Sequence, residues 1–277
     1  MNDRVTVVVA TRNRRDRLFE TLPEHRAPVI LVDNASTDGG PDAISSAFPA
    51  VEVVRLGENR GAAARNEGVR RAGTPYVAFA DDDSYWTDGS LARAAALLDA
   101  HPRLGLLTAR VLIGPGGRPD PVSTAQAAAP LGTAPGAPGP TVLGFLSCAV
   151  VVRREAFLRV GGFEPRLFVY GEEELLAMDL AADGWWLCYE PSLVVRHFPL
   201  PEGRDRSARR RIEARNRLLT ALLRRPPAVV ARTLAATYRE SLPSLWDVAR
   251  GLPWALRHRR PLPPDIEAAY AGVTHPS

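Results

Sequence analysis

The first hundred residues alternate between two hydrophobic periods. Val5-Thr6-Val7-Val8-Val9-Ala10 is a nearly continuous β-branched run, the pattern of a strand buried on both faces. Polar Thr11-Arg12-Asn13-Arg14 follows. Leu18, Phe19 and Leu22 then recur on one side of a predicted helix, with Pro23 near its end. Val29-Ile30-Leu31-Val32 is a second strand that ends at Asp33, and Asn34 to Gly40 is a turn cluster. Pro41 opens a short helix through Ile44 and Phe48. Val51 to Leu56 reads as a third strand, Gly61 to Ala72 as a helix, and Tyr76 to Ala80 as a fourth strand. That strand runs into Asp81-Asp82-Asp83, and Ser90 to Ala100 is again helical.

Strands alternating with helices predict an α/β fold with a mostly parallel central sheet flanked by helices. Such sheets bind ligands beyond the carboxyl ends of their strands. Thr11, Asp33 and Asp81 to Asp83 all stand at such ends. Further on, residues 113–141 are rich in Gly, Pro and Ala and predict a flexible loop, either a lid or a surface insertion. Val142 to Val152 is apolar. Residues 204–225 predict an Arg-rich helix, and 228–260 an amphipathic helix pair interrupted by Pro243 and Pro253.

Composition sharpens this picture in three places. With 277 residues, 45% of them hydrophobic, the chain can bury one full core plus an appendage. Residues 1–200 carry 20 Arg and 24 acids, a net of −4, whereas residues 201–277 carry 15 Arg and 7 acids, a net of +8. The chain has no lysine, so its arginines reflect a GC-rich coding sequence more than a nucleic-acid interface. No aromatic residues interleave with the basic ones in a recognised nucleic-acid motif. Cys148 and Cys188 lack the spacing of a disulfide framework or a zinc site, which fits a reducing compartment. No charged leader precedes an apolar stretch, and no run reaches membrane-span length, so a cytoplasmic location is expected. The basic tail is open to several readings: it can close a site, pack on the main domain, keep the chain soluble, or dock on an anionic membrane. Trp246, Trp254 and Arg257-His258-Arg259-Arg260 suit either packing or an interface.

The candidate chemistry lies in two acidic triplets. Asp81-Asp82-Asp83 places three mutually repelling carboxylates after a buried strand, which suits Mg²⁺ or Mn²⁺ beside phosphates. In an extended segment Asp81 and Asp83 address one site. A solvated turn or a helix N-cap would use the same residues. Glu172-Glu173-Glu174 opens a second helix, where the dipole favours negative charge and where a general base can also stand. Asp33 can accept from a nucleobase N–H or simply form a turn. Arg65 can meet a phosphate or lie exposed on its helix. His197 closes a strand-like run and is either a third metal ligand or a structural histidine. Trp185 and Trp186 can stack on sugars, although packing accounts for at least one of them.

Four pieces stand in a fixed order: VTVVVATRNR, ILVDNASTDGG, ENRGAAARNEGVRRAGTPYVAFADDD, and VVVRREAFLRVGGFEPRLFVYGEEELLAMDLAADGWWLCYEPSLVVRH. Over roughly residues 4–220 they resemble glycosyltransferase family 2, inverting enzymes of the GT-A fold. Within it the bacterial rhamnosyltransferase-like branch is nearest. The resemblance implies residues 1–200 as the nucleotide-sugar-binding and catalytic domain and residues 201–277 as a basic helical C-terminal extension. It implies Thr11, Arg12, Asp33 and Arg65 at the nucleotide, with Asp81 and Asp82 near ribose and phosphate. Asp83, with Asp81 and His197, would hold Mn²⁺ or Mg²⁺. The family's acidic pair, usually Glu-Asp, falls on Glu172-Glu173, with the second member as base. Glu is one methylene longer than Asp, so Glu172 is an alternative base. A further family acid is Leu175 here. The implied partners are a UDP-, dTDP- or GDP-linked sugar and a hydroxyl acceptor: a glycan, a lipid-linked sugar or a small natural product. Peripheral contact with the inner membrane face comes with the lipid-linked case. Two rivals remain: a family member that binds donor without turnover, and a sugar-phosphate nucleotidyltransferase. The second would place a Gly-rich phosphate loop after the first strand, where Thr11-Arg12-Asn13-Arg14 has no glycine.

Overall fold

A computed structural model describes residues 3–128, 130–199 and 206–274. The chain opens with β1 (Val5–Thr11), α1 (Arg15–Thr21), β2 (Val29–Asp33), α2 (Gly40–Ala47), β3 (Glu52–Arg55), α3 (Ala64–Arg71) and β4 (Tyr76–Asp81). Then come β5 (Ser84–Trp86), α4 (Ser90–Ala100), β6 (Leu104–Ile113), β7 (Arg118–Pro119) and α5 (Pro121–Ala127). The second half holds β8 (Val150–Arg153), α6 (Arg154–Arg159), α7 (Glu172–Ala182) and β9 (Trp186–His197). It closes with α8 (Arg206–Arg224), α9 (Pro227–Glu240), α10 (Leu242–Arg257) and α11 (Pro264–Thr274). The α/β class, the early alternation and the helical C-terminal part are as the pattern predicts.

The strands form one sheet in the order β3-β2-β1-β4-β8-β6-β9-β5, with β7 on β6. Its first four strands are parallel. The other half is mixed, because β8 enters antiparallel to both β4 and β6. β1 and β2 are mostly β-branched and apolar on both pleat faces, β4 is buried through Ala and aromatic residues, and the edge strand β3 is flanked by exposed Glu52 and Arg55. Val7 and Val9 pack with Leu31, Ile44 and Leu98 on one side. Val8 packs with Val32, Phe79 and Phe157 on the other. Each such buried side chain contributes about 1.5–3 kcal/mol from apolar burial.

Helix α3 lies unusually close to the sheet. A Cβ at Gly68 would meet Val8 Cγ1 at 2.4 Å, so only glycine permits this approach. The C-terminal helices are packed onto the sheet domain by Leu167, Leu175, Leu218, Leu219, Val248 and Trp254. Leu175 therefore is a core residue, which explains why an acid is absent there: a carboxylate in this cluster would lose its hydration without a partner.

Two expectations are corrected. Residues 113–141 were expected as a flexible loop, yet they carry β7 and α5. Asp120 caps α5 by accepting from Val122 N at 2.7 Å. Ser123 and Gln126 are buried; Val111 N donates to Ser123 Oγ, and Gln126 Nε2 donates to Gly144 O. Pro253 does not interrupt a helix, since α10 runs through it. Its position faces solvent, and so does Ala249, whose carbonyl loses the missing N–H partner to water. Helix α11 falls within the extension expected to be helical, although it is not one of the individual helices predicted there.

Candidate active site

The strand register assembles the first part of the site. Thr11 pairs with Asp33 across β1 and β2, and Ala10 pairs with Asp81 across β1 and β4. Three adjacent parallel strands thus deliver Thr11, Asp33 and Asp81 to one edge. Asp33 is buried, and both its oxygens accept from Ser36 N, at 3.3 and 3.2 Å. Asn34 ties the next loop to this edge. Its Nδ2 donates to Gly61 O, and its Oδ1 accepts from Arg60 N, both at 2.9 Å.

The segment is not extended throughout: Asp81 ends β4, and Asp82 and Asp83 form a tight turn into β5, closed by Asp81 N donating to Ser84 Oγ at 2.9 Å. The three carboxylates consequently reach three partners. Asp81 pairs with the Arg65 guanidinium, which α3 presents in a largely buried setting. Asp82 Oδ2 accepts from Thr11 Oγ1 at 2.9 Å. Asp83 Oδ1 lies 3.2 Å from His197 Nε2. Burial, then the charges of Asp81 and Asp83, push the Asp82 carboxyl up to about 7, against the pull of Thr11 and Arg14. Burial pushes His197 down, but the bond and charge of Asp83, with Asp81 and Asp120, outweigh it and hold the imidazole above its ordinary value.

Asp81, His197 and the Cys148 thiol bring one ligand atom each to within 4.8 Å of one another. Cys148 is buried, and burial, then the charges of Asp81 and Asp83, push its thiol well up. Beside that soft thiol the donors on offer are carboxylate oxygens and an imidazole nitrogen. That set suits a hard divalent cation, Mn²⁺ more than Mg²⁺ because of the nitrogen.

The second triplet enters from the start of α7. Phe168 and Tyr170, just before it, hold positive φ of 67° and 68°. Asn216 of α8, fully buried, donates through Nδ2 to Leu167 O, Val169 O and Tyr170 O, each at 2.8 Å. Phe168 O in turn accepts from Ala62 N at 2.7 Å. Gly61 has φ +57°, and a Cβ there would meet Phe168 O at 2.2 Å. The chain so held delivers three glutamates to different settings. Glu173 Oε1 accepts from Ser147 Oγ at 2.8 Å. Glu172 is buried at 4% exposure, and burial, then the Glu173 charge, push its carboxyl up to about 8. Burial also pushes Glu174 up, offset by Arg225 and Arg217. Glu172 Oε2 and Arg65 Nε are both buried without a hydrogen-bond partner among the described residues.

Thr11, Asp33, Arg65, Asp81, Asp82, Asp83 and His197 thus gather at one sheet edge. Arg65 links that edge electrostatically to Glu172 and so to Glu173. Arg12 is exposed, and it is Arg14 whose field reaches Asp82. Trp185 and Trp186 lie at the opposite end of β9 from His197. There Arg159 stacks on Trp185 at 4.8 Å and Arg103 on Trp186 at 4.7 Å, so neither meets the site. Sequence reasoning gave no site role to Ser147, Cys148 or Asn216, ordinary polar or small residues with no local pattern that only long-range packing brings to the site, and it saw Asn34 only as the start of a turn.

Residues 6–161 match the model of glycosyl transferase family 2. The chain belongs to that family and is a glycosyltransferase of GT-A fold. Over 252 aligned residues it is 33% identical to the N-acetylglucosaminyl-diphospho-decaprenol L-rhamnosyltransferase of Mycobacterium tuberculosis, covering 74% of this chain and 80% of that protein. It is also 32% identical to the pre-mycofactocin glycosyltransferase of the same organism, covering 74% of this chain and 45% of that one. Among solved structures, the mannosyltransferase PcManGT of Pyrobaculum calidifontis, in complex with GDP-Man and Mn²⁺, superposes with TM-score 0.61 at 25% identity over 99% of this chain and 76% of its own. Staphylococcus aureus TarS 1-349 with UDP-GlcNAc shares the fold, with TM-score 0.62 at 18% identity over 96% and 83%.

Proposed function

We propose that this glycosyltransferase moves a sugar from a nucleoside-diphosphate donor to an acceptor hydroxyl, with inversion, a divalent cation and a Glu base. The observation that carries the reading is the meeting of the two acidic clusters around Arg65 at the carboxyl ends of β1, β2 and β4. Residues 1–200 act as the catalytic domain and 201–277 as an extension that buttresses it.

In this reading Asp33, which still has free lone pairs, and Thr11 receive the base. Asp81, Asp83 and His197 hold Mn²⁺ or Mg²⁺, which offsets the charge of the departing diphosphate when bound. Arg65 Nε, buried and unpaired, offers a further donor to that diphosphate. Glu173 is the base. Ser147 fixes one of its oxygens, leaving the other to take the acceptor proton as the hydroxyl attacks the anomeric carbon from the face opposite the leaving group. Glu172 is too buried to meet an acceptor and keeps its proton at neutral pH. Its role is to orient Glu173 and to limit the charge of the pair. Positioning of donor and acceptor then supplies much of the rate.

The relative acting on a diphospho-decaprenol sugar supports a lipid-linked acceptor here, and with it a cytoplasmic enzyme working at the inner membrane face. Among the described residues no helix is long and apolar enough to cross a membrane. The decisive experiment is calorimetric titration of UDP, dTDP and GDP, with and without Mn²⁺, into wild type and Asp83→Ala. Metal-dependent binding of one nucleotide, lost in the variant, is the expected result. Binding that ignores both metal and substitution sinks the reading.

A further inference from the structure

Cys148 stands in the short turn Ser147–Ala149 that leads into β8, next to the Ser147 that holds Glu173. It is buried and belongs to the same core cluster as Ala80, Ala109 and Ala149, a position that a small apolar side chain would fill equally well. Its sulfur nevertheless lies within 4.8 Å of a carboxylate oxygen of Asp81 and a ring nitrogen of His197, which lie equally close to each other. The three ligand atoms come from three places in the fold: the end of β4, the turn before β8 and the end of β9. The charges of Asp81, Asp83 and Asp120, the cap of α5, bear on both the thiol and the imidazole, with Arg65 opposing at the thiol. Three carboxylates against one guanidinium leave an excess of negative charge where the ligand atoms converge.

A thiol, an imidazole and a carboxylate are not the set that Mg²⁺ or Mn²⁺ selects. Those ions favour oxygen ligands in an octahedron, whereas thiolate selects softer ions, Zn²⁺ among them. Zinc also accepts three protein ligands of these types with a fourth position left open. With zinc bonds of about 2.0–2.3 Å, tetrahedral ligands stand roughly 3.3–3.7 Å apart. The widest pair here would close by about 1 Å, which is within reach of side-chain rotation. Arg65 holds Asp81 through Oδ1, so Oδ2 remains for a ligand bond. The cation displaces the thiol proton to solvent as the sulfur coordinates.

We propose that Asp81, Cys148 and His197 form a thiolate-bearing Zn²⁺ site that overlaps the site of the hard cation and inhibits transfer. The inference rests on the reading of Asp81, Asp83 and His197 as the ligands of Mn²⁺ or Mg²⁺, and it gives that centre an inhibitory ion. Asp81 and His197 are common to both sets, so one ion excludes the other. Zinc binds mixed nitrogen, oxygen and sulfur sites more tightly than manganese, and the thiolate widens the difference. Zinc held by three protein ligands keeps one open position, whereas an octahedral ion on the carboxylates and imidazole keeps several for phosphate oxygens. Zn²⁺ at Cys148 therefore occupies the centre without offering the diphosphate the positions it needs.

The test uses the full chain, stripped of metal, with Co²⁺ as the optical stand-in for Zn²⁺. Co²⁺ should give a thiolate-to-metal charge-transfer band in the near ultraviolet and the intense visible bands of four-coordination, and Zn²⁺ should bleach both. Cys148→Ser should abolish the charge-transfer band and weaken Zn²⁺ binding at least about tenfold. His197→Gln, at a partly exposed position, should remove the four-coordinate bands, and it keeps the question open to decision if Cys148→Ser does not fold. Zn²⁺ should also release Mn²⁺ bound with the nucleotide, read from the paramagnetic resonance signal of the free ion. A wild type without the charge-transfer band, or a band that survives Cys148→Ser, overturns the thiolate site. Zn²⁺ that binds without releasing Mn²⁺ overturns the overlap. A wild type that binds no nucleotide with Mn²⁺ overturns the donor reading instead, and the cobalt spectrum still decides whether Cys148 is a ligand.

Discussion

The two acidic triplets carry the same formal charge, yet the fold treats them in opposite ways. Asp81, Asp82 and Asp83 sit in a tight turn, and each carboxylate has its own partner: Arg65, Thr11 and His197. Glu172, Glu173 and Glu174 rise on a helix, and only Glu173 has a side-chain partner of this kind, Ser147. Glu172 is buried with an unsatisfied oxygen beside a second carboxylate. A turn spreads neighbouring side chains toward different elements. A helix start keeps the first two on adjoining faces, one inward and one toward the cleft. In the proposed mechanism the first arrangement would hold a cation, and the second is a proton-holding pair.

The comparison is broken most directly at Glu173. Glu173→Gln should lower kcat by about 10²–10⁴ and leave binding of the donor nucleotide intact, measured by turnover and calorimetry on one preparation. If Glu172→Gln shows that loss and Glu173→Gln does not, the roles are exchanged. Asp83→Asn comes next. Metal-dependent nucleotide affinity should fall by at least about a hundredfold, read by titration with Mn²⁺.

Arg65→Met tests the bridge between the triplets. It removes the cation that pairs with Asp81 among the described residues, where the Asp81 side chain is a third exposed, and should cost about 2 kcal/mol of stability after solvent screening. Denaturant melts would show it, and high salt should shrink the difference.

A pH dependence sharpens the picture of Glu172. Its folded value, about 8, lies above the ordinary 4.5, so the folded state holds a proton that the unfolded chain releases. That contribution is fully present below about 4.5 and is lost as pH rises through about 8. Wild type should therefore lose stability relative to Glu172→Gln by up to about 1.4 kcal/mol per pH unit across this window. Parallel melting curves from both proteins would refute the buried, protonated assignment.

Much of the fold was legible because local pattern carried it. The β-branched runs, the turn cluster after Asp33 and the Ala-rich helices each declare themselves within ten residues. Helix α5 was hidden by the Gly-, Pro- and Ala-rich stretch around it, whereas α11 carried a readable helical period, Ile266, Tyr270 and Val273 after Pro264, that was passed over. The acidic triplets were legible as chemistry, but their division of labour was not.

By itself the sequence determined the α/β class, the strands that end at Thr11, Asp33 and Asp81, and the family. These follow from residue type and spacing along the chain. Only the tertiary structure decided which carboxylate meets which cation, that Leu175 is core, that Trp185 and Trp186 lie far from the site, and that Asn216 holds the segment before Glu172. It also decided that Trp254 packs while Trp246 faces outward. The reason is the same in every case: partner, burial and charge state depend on neighbours distant in sequence, and no local pattern encodes which distant side chain arrives.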